Sequence, residues 1–270
     1  MKDNTRILVT GANGFLASSF VEYVNKEYGY EVDTIIRENS VLKDSLKDYI
    51  SNIYYWDGNK IDFPKDYFAD YIFHFSTNFQ RDNKIESFVR MADDNILFGT
   101  YLLSKLNEKT KFINIASWTS YDKYGNYKPH NVYSLTKGLF EKIALSTYKN
   151  TISVRMPDTY GPNDRRDKIY NLIRKGIVTK LNSPKNQEIN MIHTEDINRS
   201  LFYIIENQEK LNSNIFDLYY KENIITLEEL AKYLGKKIEF GDKEVVPLVK
   251  NIHPVPGFIV KNKIKDIGEV

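Results

Sequence analysis

The sequence predicts an α/β protein built on a doubly wound parallel sheet, with a small C-terminal lobe. Short apolar runs of strand length alternate with stretches of helical spacing through residues 1–157. A glycine-containing turn stands at the first strand-to-helix junction, and the alternation breaks down after Asp158. Strands separated by helices pair in parallel through crossovers, and right-handed crossovers cover both faces of the sheet.

Arg6 to Thr10 (RILVT) is a buried-strand run, and Phe15 to Lys26 has helical spacing. Strands follow at Glu31 to Ile36, Ile53 to Trp56, Tyr71 to Phe75, Lys111 to Ala116 and Thr151 to Met156. Helices are expected over Ile85 to Leu106 and Val132 to Tyr148. Beyond Asp158, the turn cluster Gly161-Pro162-Asn163-Asp164 precedes a basic helix over Arg165 to Lys175 and a loop over Asn182 to Asn186. A strand over Ile215 to Tyr219 comes next, then a helix opened by Thr226 with Glu229 at capping-box spacing.

A chain of 270 residues buries a sizeable core. Lys and Arg number 38 against 36 Asp and Glu, a net charge of +2 that gives no reason to expect nucleic acid or an anionic membrane as partner. No cysteine is present, which excludes disulfides, thiolate catalysis and Cys-ligated zinc. His74, His130 and His193 lie in different motifs, so no metal site is expected. The N-terminal MKDNTR is not the apolar core of a signal peptide, and no run spans a bilayer; a soluble cytoplasmic protein is the expectation.

Thr10-Gly11-Ala12-Asn13-Gly14-Phe15-Leu16-Ala17 follows a strand and opens a helix, the context of a phosphate-binding turn. Gly11 allows the tight turn, Gly14 lets backbone approach a pyrophosphate, and Ala17 lets helix and strand pack closely. The helix N-terminus adds N–H groups and a partial positive charge. The expectation is the dinucleotide turn of a Rossmann fold; the alternative is a structural strand-to-helix turn. The former assigns residues 1–157 to cofactor binding, with returning segments from about 188–220, and residues 158–270 mainly to a substrate lobe. The second strand ends Ile35-Ile36-Arg37 without a carboxylate. Arg37 at that tip suits a 2′-phosphate and favours NADP(H) over NAD(H); the alternative is a surface arginine with Glu38 in the acidic role. Asp57, after the third strand, is either a partner for the adenine amino group or a turn residue.

Tyr133 and Lys137 stand four apart on one helical face. A phenol with a pKa near ~10 is a poor acid at neutral pH, and a neighbouring ammonium stabilises its phenolate. Ser117 ends the strand before that helix, at the carboxyl edge where such sheets bind ligands. It can hydrogen-bond a substrate carbonyl while Tyr133 donates the proton; the alternative is a strand-end serine bonding local backbone.

Together these residues resemble the extended short-chain dehydrogenase/reductases, the family of NAD-dependent nucleotide-sugar epimerases, dehydratases and reductases. The likeness runs through TGANGFLA, YIFHFST, Asn95 with Gly99-Thr100, YSLTK, Arg155 with DTYGPND, and MIHTEDI. It implies that Asn13, Phe15, Leu16, Phe75, Ser76, Thr77, Asn95 and Met156 line the cofactor region. Asp158, Tyr160, Gly161 and Pro162 fall where the family's sugar-nucleotide pocket begins. A narrower likeness, in NIASWTSYDKYGNYKPHNVYSLTK and DTYGPNDRRDKI, is to the CDP-4-keto-6-deoxyhexose 4-reductases, the group of the CDP-abequose and CDP-paratose synthases. Ala17 replaces the usual third glycine and Asp158 a frequent Asn.

A dehydratase of this family needs a carboxylate pair directly after the active-site hydroxyl residue. Trp118 and Thr119 stand there, which points to reduction of a C4 ketone by NADPH. A 4-epimerase with tightly held NAD uses the same Ser/Tyr/Lys set and stays open, as does a non-enzymatic cofactor-binding regulator. Trp118, Thr119, Asp158, Arg165 and Arg166 are the expected substrate residues, with Lys168 and Arg174 as further cations for the diphosphate. The family also implies a homodimer through the two long helices.

Overall fold

The chain folds, in the computed structural model, into a seven-stranded parallel sheet flanked by helices, with a small three-stranded sheet beside it. Residues 5–80, 82–243, 252–264 and 266 are described. Residues 1–4, on which the expectation about the N-terminus rests, and parts of the C-terminal lobe (244–251, 265 and 267–270) lie outside them.

The first half comprises β1 (Ile7–Thr10), α1 (Phe15–Tyr28), β2 (Val32–Arg37), β3 (Ile50–Trp56) and β4 (Tyr71–His74). Next come α2 (Ile85–Ala92), α3 (Phe98–Leu103), β5 (Lys111–Ser117), α4 (Val132–Thr147) and β6 (Thr151–Met156). The second half adds β7 (Asp158–Tyr160), α5 (Ile169–Arg174), β8 (Lys180–Leu181), β9 (Glu188–His193), α6 (Thr194–Leu211), β10 (Ile215–Asp217), β11 (Ile224–Thr226), α7 (Leu227–Tyr233) and β12 (Glu239–Phe240). The large sheet has the order β10-β6-β5-β4-β1-β2-β3, so the winding reverses between β1 and β4 and opens a crevice at their carboxyl ends.

Burial on both faces explains the unbroken apolar runs: Ile7, Leu8 and Val9 of β1 have no exposed surface. One face packs against α1 and α6 through Phe20, Val21, Val24, Phe73 and Phe202. The other packs against α3 and α4 through Phe98, Leu102, Phe112, Phe140 and Ala144. Gly99 permits that approach, because a Cβ there would sit 2.4 Å from the Phe140 ring. The second sheet pairs β7 parallel and β11 antiparallel with β9, and packs with α5 and α7 around Tyr160, Tyr170, Ile173, Met191 and Leu230. β8 and β12 pair separately.

Three expected elements are altered. The helix expected over Ile85 to Leu106 is interrupted by a π-helical turn, Asp93–Leu97, which carries Asn95 into the interior. The basic helix expected from Arg165 begins only at Ile169, because Arg166 is tied back to Asp164 and Thr159. The strand expected to reach Tyr219 ends at Asp217, one residue before a last bond to β6 from the Leu218 amide to Arg155 O, while the Asp217 amide donates to His253 O. The C-terminal segment is strapped to the body there and at Asp196, which accepts from the amides of Lys261 and Asn262. Among the described residues no helix is long and apolar enough to cross a membrane, and no cluster of His, Cys, Asp and Glu forms a metal site.

Candidate active site

The turn after β1 is set by backbone geometry. Gly11 has φ +72°, and a Cβ there would lie 2.9 Å from Ser76 Cα, so the position admits only glycine without displacing the β4 loop. The Gly14 amide donates to the Gly11 carbonyl at 2.7 Å. Gly14 is the N-cap of α1 without a side-chain cap, and the first helical turn carries no acid. Its N–H groups are therefore available to an anion, with the helix dipole behind them. A cleft of about 230 Å³ opens between this turn, Ile35 to Arg37, Trp56 and Phe75 to Thr77. These residues fit a dinucleotide: a phosphate at the turn and an adenosine between the tips of β2 and β3.

Several expected cofactor residues have other partners. The Asn13 side chain donates to Val41 O and accepts from Lys43 N, both at 2.9 Å, and so stitches down the loop after β2. Asp57 stands in the turn after β3, where its carboxylate accepts from the amides of Asn59 and Lys60 at 2.7 and 2.8 Å; these bonds lower its pKa. Trp56, one residue earlier, lines the cleft in its place. Arg37 reaches the cleft but is ion-paired with Asp94, which also accepts from Asn78 Nδ2 at 2.6 Å. Asn95 is 1% exposed, and its amide holds the β4 loop to α4. Its Oδ1 accepts from Asn78 N and Thr77 Oγ1, and its Nδ2 donates to Asn78 O and Thr136 Oγ1. Phe75 packs on Phe20, Met156 ends β6 in the same core, and Phe15 and Leu16 begin α1.

Ser117, Tyr133 and Lys137 converge at the carboxyl edge of the sheet. Ser117 is the last residue of β5, with Oγ 2.8 Å from Thr119 Oγ1. Asn131 and Ser134 form a reciprocal capping box that fixes the first turn of α4. Tyr133 leaves that turn with the hydroxyls of Thr77 and Ser117 as hydrogen-bonding neighbours. The Phe79 ring stands edge-on to Tyr133 at 4.9 Å, and Lys168 Nζ lies over Phe79 at 4.3 Å. Burial raises the Tyr133 pKa, while Thr77, Arg166 and Ser117 draw it down and Asp158 adds to the rise.

Lys137 is 3% exposed, and burial lowers its ammonium pKa to about 8, with Glu141 opposing. Beneath it His74 bonds Thr10 Oγ1 through Nδ1 at 3.0 Å; burial and the lysine lower its pKa to about 3. A phenol facing two hydroxyls, with a buried amine one turn behind, can pass a proton to or from an alcohol oxygen.

The expected substrate residues divide. Trp118 and Thr119 form a short helical turn directly after Ser117. Asp158 stands close enough to Tyr133 to act on its pKa; burial raises its own pKa against the pull of Lys168 and Arg166. Arg166 is braced: Nε and Nη2 hold Asp164 at 2.8 Å, Nη2 donates to Thr159 O at 2.9 Å, and the guanidinium lies 4.1 Å over the Phe15 ring. Arg165 is exposed on a neighbouring groove of about 890 Å³ that runs past Asn13, Pro162 and His193. Arg174 lies over Tyr170, on α5. Asp94, Trp56 and Phe79 were missed in the sequence. Only Asp94 had a signal, its place beside Asn95.

The model of the NAD dependent epimerase/dehydratase family matches residues 7–218. The chain is 24% identical over 245 residues to CDP-abequose synthase of Yersinia pseudotuberculosis, covering 86% of this chain and 84% of that one. It is 24% identical over 281 residues to dTDP-D-glucose 4,6-dehydratase of Dictyostelium discoideum, covering 86% of this chain and 62% of that one. Among solved structures, the UDP-glucuronic acid 4-epimerase of Bacillus cereus, bound to UDP-glucuronic acid and NAD, superposes with a TM-score of 0.76 at 21% identity, over 98% of this chain and 97% of that one.

Proposed function

The chain belongs to the NAD dependent epimerase/dehydratase family, and from that premise we propose that it is a cytoplasmic NADPH-dependent 4-ketoreductase. Its substrate is a nucleotide-linked 4-keto-6-deoxy or 3,6-dideoxy hexose made for surface polysaccharide. One observation carries the choice of reaction. The Tyr133 hydroxyl meets Ser117 and Thr77, while the positions after Ser117 hold Trp118 and Thr119, with the Thr119 hydroxyl spent on Ser117. Elimination of water needs an acid/base pair at those positions; reduction does not. The likeness to CDP-abequose synthase supports a CDP-linked sugar.

The bound dinucleotide supplies the hydride. Tyr133 gives the proton to the developing C4 alkoxide, and Ser117 donates a hydrogen bond to the same oxygen. Lys137 stabilises the phenolate left behind. Trp118 walls the sugar, and Arg165 meets the diphosphate. Arg37 exchanges Asp94 for the 2′-phosphate, which favours NADPH. The pairing of Arg37 with Asp94 also keeps a second reading open, a 4-epimerase with tightly held NAD, in which Asp94 accepts from the ribose 2′-hydroxyl. A homodimer is proposed through α2 and α4, since Ile85 and Val89 of α2 and nearby Leu97 are 66%, 53% and 50% exposed. Light scattering on the Val89→Glu variant reads it, with an unchanged mass refuting the interface.

The test is absorbance of NADPH and NADH mixed with CDP-4-keto-6-deoxyglucose and its 3-deoxy analogue. Consumption of NADPH is expected, with Tyr133→Phe slower by about 10²-fold or more. Near-normal turnover in that variant would overturn the assignment. Absence of consumption together with co-purified NAD would favour the epimerase.

A further inference from the structure

One turn beyond Lys137 on the same face of α4 stands a second buried charge, Glu141, with no exposed surface. Its Oε1 accepts from Ser153 Oγ at 2.7 Å and Arg155 Nε at 2.8 Å, and its Oε2 accepts from the Tyr121 hydroxyl. The Arg155 guanidinium lies 3.7 Å over the Tyr121 ring, and Nη1 comes within 3.8 Å of Asp217. Asp217 in turn accepts from the amides of Ile252 and His253 in the C-terminal strap.

Charges held out of water need compensation. Of the groups near Lys137, Glu141 and Tyr133 share its helix and His74 belongs to β4; Tyr121 after β5 and Arg155 of β6 stand behind Glu141, and Asp217 of β10 stands behind Arg155. His74 and the two tyrosines are neutral near pH 7, because burial lowers the histidine and raises the phenols. That leaves the Glu141 carboxylate as the group that favours the Lys137 ammonium, with Arg155 and then Asp217 paired behind it.

We infer that Glu141 is a positioning residue for proton transfer: clamped by Tyr121, Ser153 and Arg155, its carboxylate holds Lys137 as the ammonium that Tyr133 requires. This rests on the proposed roles of Tyr133 and Lys137. Glu141 touches no substrate and acts through the lysine. Asp217 extends the same balance to the point where the C-terminal strap docks.

The test is Glu141→Gln, which keeps the shape and an acceptor oxygen and removes the charge. Lysine labelled with 13C at Cε is titrated in the ligand-free protein, with the Lys137 resonance assigned by its loss in Lys137→Met. Cβ atoms one helical turn apart stand about 5–6 Å from each other, and unit charges at roughly that separation, at an effective dielectric constant near 20, couple by roughly 2 pH units. The Lys137 midpoint is therefore expected to move down by about 1–2 units from its value of about 8. The alkaline limb of the turnover profile moves with it. An unmoved midpoint and limb, with only a loss of thermal stability, would overturn the inference and leave Glu141 a structural residue.

Should Glu141→Gln not fold, Asp217→Asn gives the second reading: a smaller downward shift supports the charge balance, and an unmoved midpoint refutes it. The resonance titrates whatever the reaction. Near-normal turnover in Tyr133→Phe therefore fails the proposed function, while an unmoved Lys137 midpoint fails this inference alone.

Discussion

Asn95→Ala tests what builds the floor of the cofactor cleft. The amide is 1% exposed and fills all four of its hydrogen-bonding positions, at 3.2 Å to Thr77, 2.6 and 3.0 Å to Asn78, and 2.9 Å to Thr136. At a net worth of about 1 kcal/mol per bond the loss would approach 4 kcal/mol. The Thr136 hydroxyl keeps its own donor bond to Tyr133 O at 2.9 Å, and the freed Asn78 backbone can reach water. The expected destabilisation is therefore about 3 kcal/mol. In a chain of this size that lowers Tm by about 6–12 °C.

The loop released by this change carries Ser76 and Thr77 beside the Gly11 turn, so dinucleotide affinity should fall about tenfold, or about 1.4 kcal/mol. Urea unfolding gives the first quantity, and quenching of Trp56, which lines the cleft, gives the second. Asn95→Asp should be no better, since a carboxylate would face Asn78 O where the amide now donates. Stability within about 0.5 kcal/mol of the wild type and an unchanged Kd would refute the assigned role.

Three further outcomes are expected. Gly11→Ala places a methyl 2.9 Å from Ser76 Cα at φ +72°, a left-handed conformation costing about 1–2 kcal/mol, and calorimetric titration should show dinucleotide affinity weakened more than tenfold; equal affinity would show that the turn has room to spare. His74 is held near pKa 3 against 6.5 in the unfolded chain, so only the unfolded state takes up its proton between those values. Its contribution to stability is whole above the unfolded pKa and is lost as pH falls, by about 1.4 kcal/mol per unit. His74→Gln should remove that slope from denaturation series at pH 7 and 5, and identical slopes would show a protonated imidazole in the fold. Asp158→Asn should stabilise the protein at neutral pH by about 0.5–2 kcal/mol, because burial raises the carboxyl pKa and makes its ionised form costly. That gain should shrink as pH falls; a loss of stability at pH 7 would mean that the carboxylate is favourably paired.

Much of this protein was legible in local pattern. Unbroken apolar runs marked strands buried on both faces, and Gly11, Gly14 and the helical spacing after them marked a tight strand-to-helix turn. The four-residue step from Tyr133 to Lys137 put both on one side of α4, and the end of the β5 run put Ser117 at the sheet edge. Each rests on neighbours within a turn or a strand, where covalent geometry alone sets which side chains share a face. Tertiary structure decided which partner each polar group takes. Asp57 went to the amides of its own turn, Arg37 to Asp94, Arg166 to Asp164, and Asn95 to a loop and a helix reached through a π-helical turn. Glu141 was a helix residue like any other until β6 brought Arg155 to it, with Asp217 of β10 on the far side of that arginine. A buried polar group accepts whichever complementary partner lies within about 3 Å. Folding alone brings segments distant in the chain to that distance.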